Sequence, residues 1–304
     1  MIDNFDDFCL VMYVLVDDLW REISPQFKRR GPAPTRCSDS ELLTIALVGE
    51  SRGWDVETEL LSYMSEHRDL FPRLPSQSRF NRRRRGLTQA FNWLRVRILE
   101  GWEWAHDRQY LLDSLPVAVV GFHHAPRCTA DWRMHEASFG KLSSKKMTFF
   151  GYKLHLLLTS NAIIRDWLPA PAHVRDLPAG EELLLAYTDI DVLGDKAYIH
   201  AHLATELWQQ RRIRLLTLPR RNQRLQVPHT FRRPFNNARR LIETVNSQLT
   251  EQFHIEINHA HRFSGLCARL ATKLTAHTLS FFVNFCLGNP EPLHIKALAF
   301  PIQN

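Results

Sequence analysis

The order of the β-forming runs constrains this fold more than any other feature. Residues 110–120, 147–159 and 161–169 are three consecutive runs rich in β-branched, aromatic and leucine residues. The pattern then alternates: a helix over 177–187, a strand over 190–195, a helix over 200–211 and a short strand over 213–218. Helices over 236–252 and 262–287 close the chain. Three strands in succession form an antiparallel meander, and strands separated by helices pair in parallel through crossovers. This predicts an α/β fold with a mixed, ribonuclease-H-like sheet and flanking helices, in which the first and fourth strands are neighbours.

Before residue 105 the pattern is helical throughout. Phe5, Phe8, Val11, Met12, Val14, Leu15 and Leu19 mark one side of a helix over 5–24. Lys28 to Pro34 read as a loop, and Ser38-Asp-Ser-Glu41 offers a capping box before an apolar run. Further helices are expected over 55–68 and from Ser76 to about 104, separated by Pro72 and Pro75. The expected division is a helical domain over 1–105 and an α/β domain over 106–304.

Charge is unevenly spread along the 304 residues, whose formal sum is +7. Residues 1–70 hold 7 basic and 14 acidic side chains, whereas residues 71–99 hold 8 arginines and no acid. An acid-free arginine stretch fits a polyanion partner reached through a particular surface, although a solvated basic face gives the same composition. The candidate phosphate-contacting residues are Arg79, Arg82, Arg83, Arg84 and Arg85, with Lys153, Arg239 and Arg240 farther along. Five scattered cysteines without a CxxC pair give neither a disulfide framework nor a zinc ribbon. His123, His124, Cys128 and His135 have no standard zinc-finger spacing. The acidic start is unlike a signal peptide, and no charge-free apolar run reaches 18 residues. A cytoplasmic protein without a membrane span is expected.

Three acidic residues stand in settings suited to metal-assisted chemistry. Asp113 lies inside the first apolar run, Asp195 closes the run from Ile190, and Glu243 lies on the helix over 236–252. Two strand-borne aspartates and a helix-borne glutamate offer the hard oxygen ligands that two Mg²⁺ ions need for phosphoryl transfer. Asp195 is preferred over Asp189 and Asp191 because it follows a strand and Gly194, at the strand end where α/β sites gather. Asp131, Asp166 and Asp176 are expected in loops or turns. On the late helix, Ala238, Leu241, Ile242, Val245 and Leu249 form the apolar stripe. Glu243 falls off that stripe, and its competing role is a surface ion pair with Arg239. By alternation His155 and Lys153 share a strand face, and His155 is read first as structural. Trp132 and Phe139 are read as packing residues ahead of base-stacking ones, and Leu266–Leu287 as core or a dimer contact.

These residues resemble the DDE transposases of bacterial insertion sequences, most closely the insertion sequence 982 family. The resemblance spans nearly the whole chain. It is carried by Leu74-Pro-Ser-Gln-Ser-Arg-Phe-Asn-Arg-Arg-Arg-Arg85, Asp113-Ser, Phe150-Gly-Tyr-Lys-Leu-His155, Gly194-Asp-Lys-Ala-Tyr198 and Arg239-Arg-Leu-Ile-Glu-Thr-Val-Asn-Ser-Gln-Leu249. It implies a ribonuclease-H-like catalytic domain, a triad at Asp113, Asp195 and Glu243, and Mg²⁺ with Mn²⁺ as a substitute. It also implies a homodimer on double-stranded DNA, cutting at terminal inverted repeats and joining to target DNA in a bacterial nucleoid. Ala197 departs from the glycine common at that place. Asn236 and Thr250 stand where a wider group has Tyr and Lys. A DNA-binding protein without catalysis, and a ribonuclease-H-like nuclease that never joins strands, are the alternatives.

Overall fold

The computed structural model describes residues 2–28, 36–101, 107–142, 147–198, 200–217, 229–257 and 259–300. Among them the helices are α1 (Phe5–Ile23), α2 (Asp39–Ser51), α3 (Glu57–Met64), α4 (Gln77–Gly86) and α5 (Thr88–Glu100), before any strand. The middle of the chain holds β1 (Gln109–Val120), α6 (Ala130–Met134), β2 (Ser138–Leu142), β3 (Met147–Thr159) and β4 (Ile164–Pro171). Then come α7 (Asp176–Leu184), β5 (Asp191–Gly194), α8 (Ala201–Arg211), β6 (Arg214–Thr217), α9 (His229–Glu251), α10 (Phe263–Cys286) and α11 (Lys296–Ala299).

The chain folds into two compact units, 1–101 with 249–304, and 102–248. This differs from a simple cut at 105/106. Helix α10 is the reason: it is buried on nearly every side and packs on α2 and α5. Its apolar residues face all round, so it needs neighbours on all sides, and the N-terminal helices supply them.

In the helical unit, α2 starts with the expected capping box. Ser38 Oγ accepts from Glu41 N–H at 3.1 Å and the Glu41 carboxylate accepts from Ser38 N–H. The helix expected from Ser76 to about 104 is two helices, broken at Gly86–Leu87. A charged network runs through the interior. Lys273 Nζ donates to Glu50 at 2.6 Å, to Asp55 at 3.1 Å and to the Phe253 carbonyl. Arg84, only 3% exposed, pairs with Glu50 and donates to Thr272 Oγ1 at 3.3 Å. Burial pushes the Glu50 carboxyl upward, but Lys273, Arg84 and Arg269 outweigh it and draw it down to about 2.

In the second unit, β3 is the longest strand and organises the sheet. It pairs antiparallel with β1 along one edge, and with β2 and then β4 along the other. β1 pairs in parallel with β5, and β5 with β6. The described order is thus β2/β4–β3–β1–β5–β6, a mixed six-stranded sheet with helices, consistent with a ribonuclease-H-like α/β fold. Edge strand β2 was not legible in the sequence. Gly151 is required where β1 bulges between Ala118 and Val120. Its φ is 156°, and a Cβ there would lie 2.2 Å from the Val117 carbonyl oxygen. One sheet face carries Tyr110, Leu112, Leu157 and Val192 into a core with Leu183 and Leu184 of α7 and Leu203 and Leu207 of α8. The opposite face presents Leu111, Asp113 and Leu115 from β1.

Replacing Lys273 with Met should remove one cation from Glu50 and Asp55 while they stay buried. The loss expected is about 3–5 kcal/mol, read as a lower denaturation midpoint, and an unchanged midpoint would refute the network's importance. Glu50 titrates lower in the folded chain than its ordinary 4.5. Its stabilising share is therefore complete above about pH 4.5 and fades as pH falls towards 2.

Candidate active site

Register brings the two strand aspartates together. Leu112 of β1 lies opposite Gly194, the last residue of β5, and the residues that follow this last pair, Asp113 and Asp195, line one cavity. From the other direction α9 reaches the same place. Asn246 Nδ2 donates to Asp113 Oδ2 at 2.8 Å. Earlier on α9, Glu243 and Ile242 one turn back and Arg239 two turns back join Asp113, Gly194 and Asp195 in lining a cavity of about 100 Å³. The three acids singled out in the sequence therefore border one space.

Their surroundings differ. Asp113 is partly buried, and its carboxyl is raised from 3.8 to about 6. Burial is the main cause, and Asp195 and Asp176 add like charge, while the Ser114 N–H and Asn246 oppose the rise. Asp195 is exposed. Glu243 is exposed and paired with Arg239, Nε to Oε1 3.0 Å, at the i, i+4 spacing of the competing sequence reading. Among the described residues no three His, Cys, Asp or Glu side chains are gathered closely enough to hold one metal ion.

The donor set nonetheless suits a hard divalent cation. Asp113 and Asp195 offer carboxylate oxygens, and a nearby cation would offset the burial and the like charge that raise Asp113. Asn246 Oδ1 is buried beside Asp113 without a hydrogen-bond partner among the described residues. It is a further oxygen that could face an ion or its water. Glu243 can contribute only by leaving Arg239.

Behind Asp195 the chain is anchored by Tyr198. The turn Lys196–Tyr198 closes with Tyr198 N–H donating to the Asp195 carbonyl at 3.0 Å. The Tyr198 ring is 2% exposed and fits against two glycines. A Cβ on Gly180 would lie 2.7 Å from its ring, and one on Gly194 3.2 Å from its side chain. Its hydroxyl lies 3.0 Å from Nδ1 of the fully buried His155. Burial holds His155 down at about 4, so the imidazole is neutral near pH 7. Ser114 Oγ donates to Asp176 at 3.2 Å, and Lys153 Nζ donates to the same carboxylate at 3.1 Å. Ala197 is not in a left-handed conformation, so the turn accepts its methyl group.

The other sequence candidates are placed variously. Arg79, Arg82 and Arg85 are exposed on α4. Arg83 is occupied by Asp39 at 2.7 Å and by the Cys37 and Ser38 carbonyls at the start of α2. Arg84 is buried in the ion network. Lys153 lies on the opposite sheet face from Asp113, since it pairs with Pro116 and alternates with Leu154 and Leu156. Arg239 and Arg240 are exposed on α9. Asp191 is tied to Arg214, and Asp189 sits in a turn at φ 56°. Asp131, Asp166 and Asp176 were expected in loops; they lie in α6, in β4 and at the start of α7. Trp132 is buried, whereas Phe139 is 46% exposed. Sequence reasoning missed Ser114, Asp176 and Tyr198. The Gly194-Asp-Lys-Ala-Tyr198 run held the signal for Tyr198, an aromatic three residues beyond a strand-end aspartate.

Asp113 titrates higher folded than unfolded, so its ionisation costs stability as pH rises through about 6. Without metal, Asp113→Asn should raise the melting temperature at pH 8 and leave it nearly unchanged at pH 3; a drop at pH 8 would contradict this. Tyr198→Ala should cost about 3–5 kcal/mol by opening a core cavity, measured by denaturation, and a cost below 1 kcal/mol would deny its anchoring role.

Residues 106–264 match the family described as the transposase DDE domain. The match spans more than half of the chain, which belongs to that family. No curated protein matches this chain.

Proposed function

We propose that this member of the transposase DDE-domain family cuts DNA at the ends of an insertion element and joins the freed 3′-OH to target DNA. The observation that carries the reading is the shared cavity bordered by Asp113, Asp195 and Glu243, in a chain whose family acts in transposition. These three residues would hold Mg²⁺, or Mn²⁺ in its place, once Glu243 leaves Arg239. Such ions, when bound, would supply Lewis-acid stabilisation to the reacting phosphate.

The protein's own work is positioning. The backbone of β1 and β5 fixes Asp113 and Asp195, and Asn246 holds the Asp113 carboxylate in place. Arg239, once released from Glu243, donates to a non-bridging phosphate oxygen. In the first reaction water adds to a phosphodiester at the element's end and the 3′-oxygen leaves, taking a proton. In the second, that 3′-OH attacks a target phosphodiester and displaces another 3′-oxygen. Each step forms one P–O bond and breaks one, and no protein–DNA bond is needed. The partners are double-stranded DNA with terminal inverted repeats, target DNA and a second copy of the chain. Membership of the insertion sequence 982 family belongs to the same proposal, with the protein working in the cytoplasm at the nucleoid. Among the described residues no helix is long and apolar enough to cross a membrane.

The Arg239–Glu243 pair specifically favours a second reading, a DNA-binding protein that has lost catalysis. The two part on one assay. Wild-type protein with Mg²⁺ and DNA bearing the gene's flanking ends should yield cut and joined products. Asp195→Asn should bind equally well and lower product by at least about 10³-fold, as expected when electrostatic stabilisation of phosphoryl transfer is lost. End binding without products from either protein would favour the second reading, and nicks without joined strands would indicate a nuclease.

A further inference from the structure

The helical unit contains a second cavity, of about 170 Å³, between α4 and the start of α10. Its lining is strongly cationic: Arg84, Arg85, Arg262 and Arg269 face one carboxylate, Glu57. That carboxylate is already engaged. Gln77 Nε2 and Asn81 Nδ2 each donate to Glu57 at 3.0 Å, and Arg84 and Arg269 approach it to 3.7 Å. The inner guanidiniums of Arg84 and Arg269 are thus fixed by partners in the wall. At the rim Arg85 and Arg262 are exposed, and neither makes an ion pair among the described residues. Gly265 also lines the cavity, where a Cβ would meet only Ala260 within 4 Å, so a ligand can approach the backbone closely. The first turn of α10 carries no acid. An open cavity with surplus positive charge at its rim and preset guanidiniums at its floor is built for a compact anion.

We propose that this cavity is a phosphate-group site that takes a backbone phosphate of duplex DNA, with Arg262 and Arg85 as its contacting residues. The site anchors DNA on the helical unit and shares no residue with the carboxylate cavity of the sheet unit. It rests on the reading of the chain as a DNA-acting protein, but its test does not require the chain to cut DNA. Phosphate contacts of this kind fix position and carry no sequence information.

The test uses the full-length chain in EDTA, so that binding is read without catalysis. Its probes are a labelled 30-base-pair duplex and, separately, inorganic phosphate. Affinity for the duplex is measured across a series of salt concentrations for wild type, Arg262→Ala, Arg85→Ala and Arg262→Lys. The expected result is several-fold weaker binding for each alanine variant and a salt slope shallower by about 1. Arg262→Lys should retain the slope. Thermal melting of each variant checks that the fold is kept, and both arginines are exposed, so truncating them leaves the core intact. Duplex affinity and slope unchanged in both alanine variants would overturn the proposal. Loss of inorganic phosphate binding with duplex binding intact would overturn it too, by assigning the cavity to a free ion.

Discussion

The parallel pairing of β1 with β5 is the constraint on which the site depends. A parallel pair holds two strands in register without a hairpin between them, so residues 82 positions apart in the chain, such as Leu112 and Gly194, meet only because a crossover returns β5 to the edge of β1. The Leu112–Gly194 pairing leads directly into Asp113 and Asp195, which line one cavity. A slip of one residue would turn Asp113 towards the opposite face and into an apolar core. Gly194 earns its place here because a side chain would press on Tyr198, the residue that anchors the turn following Asp195.

Charge serves two purposes in this chain. In the helical unit much of the arginine run is structural: Arg84 neutralises buried Glu50, and Arg83 closes the start of α2. Gln77 and Asn81, on the same helix, satisfy Glu57. Removing one member would leave a buried partner uncompensated, which is why such networks tolerate little change. The surface arginines of α4 remain for another use. In the sheet unit a similar polar cluster of Ser114, Asp176 and Lys153 lies on the sheet face opposite Asp113 and fills the sheet's end without adding apolar bulk.

Most of the architecture was legible in the sequence because its signals are local. Alternation in 110–120 and 147–159 reproduced β1 and β3 to within a residue, and the capping box at Ser38 marked the start of α2. Edge strand β2 has only five residues and no clear alternation, so nothing local declared it. The break at Gly86–Leu87 was masked by strong helix formers on both sides. Composition could not tell Arg84 from Arg85, since burial depends on helical phase: Phe80 and Arg84, four apart, both turn inward. The packing of α10 against the first helices is a long-range fact with no counterpart in nearby sequence. At the candidate site the sequence singled out three acids from their settings and they line one cavity, while the Arg239–Glu243 pair shows that a helix-spaced acid also has a ready local partner.

The proposed function requires Glu243 to give up Arg239 and join Asp113 and Asp195 around divalent metal when DNA is bound. The measurement that tests it most directly is a crystal structure of the full chain with end DNA and Mn²⁺, with the ions located by anomalous scattering. The account predicts Mn²⁺ bound by Asp113 and Asp195, with the Glu243 carboxylate turned from Arg239 towards the metal and Arg239 on phosphate. Glu243 still paired with Arg239, with no Mn²⁺ at the two aspartates, would contradict it.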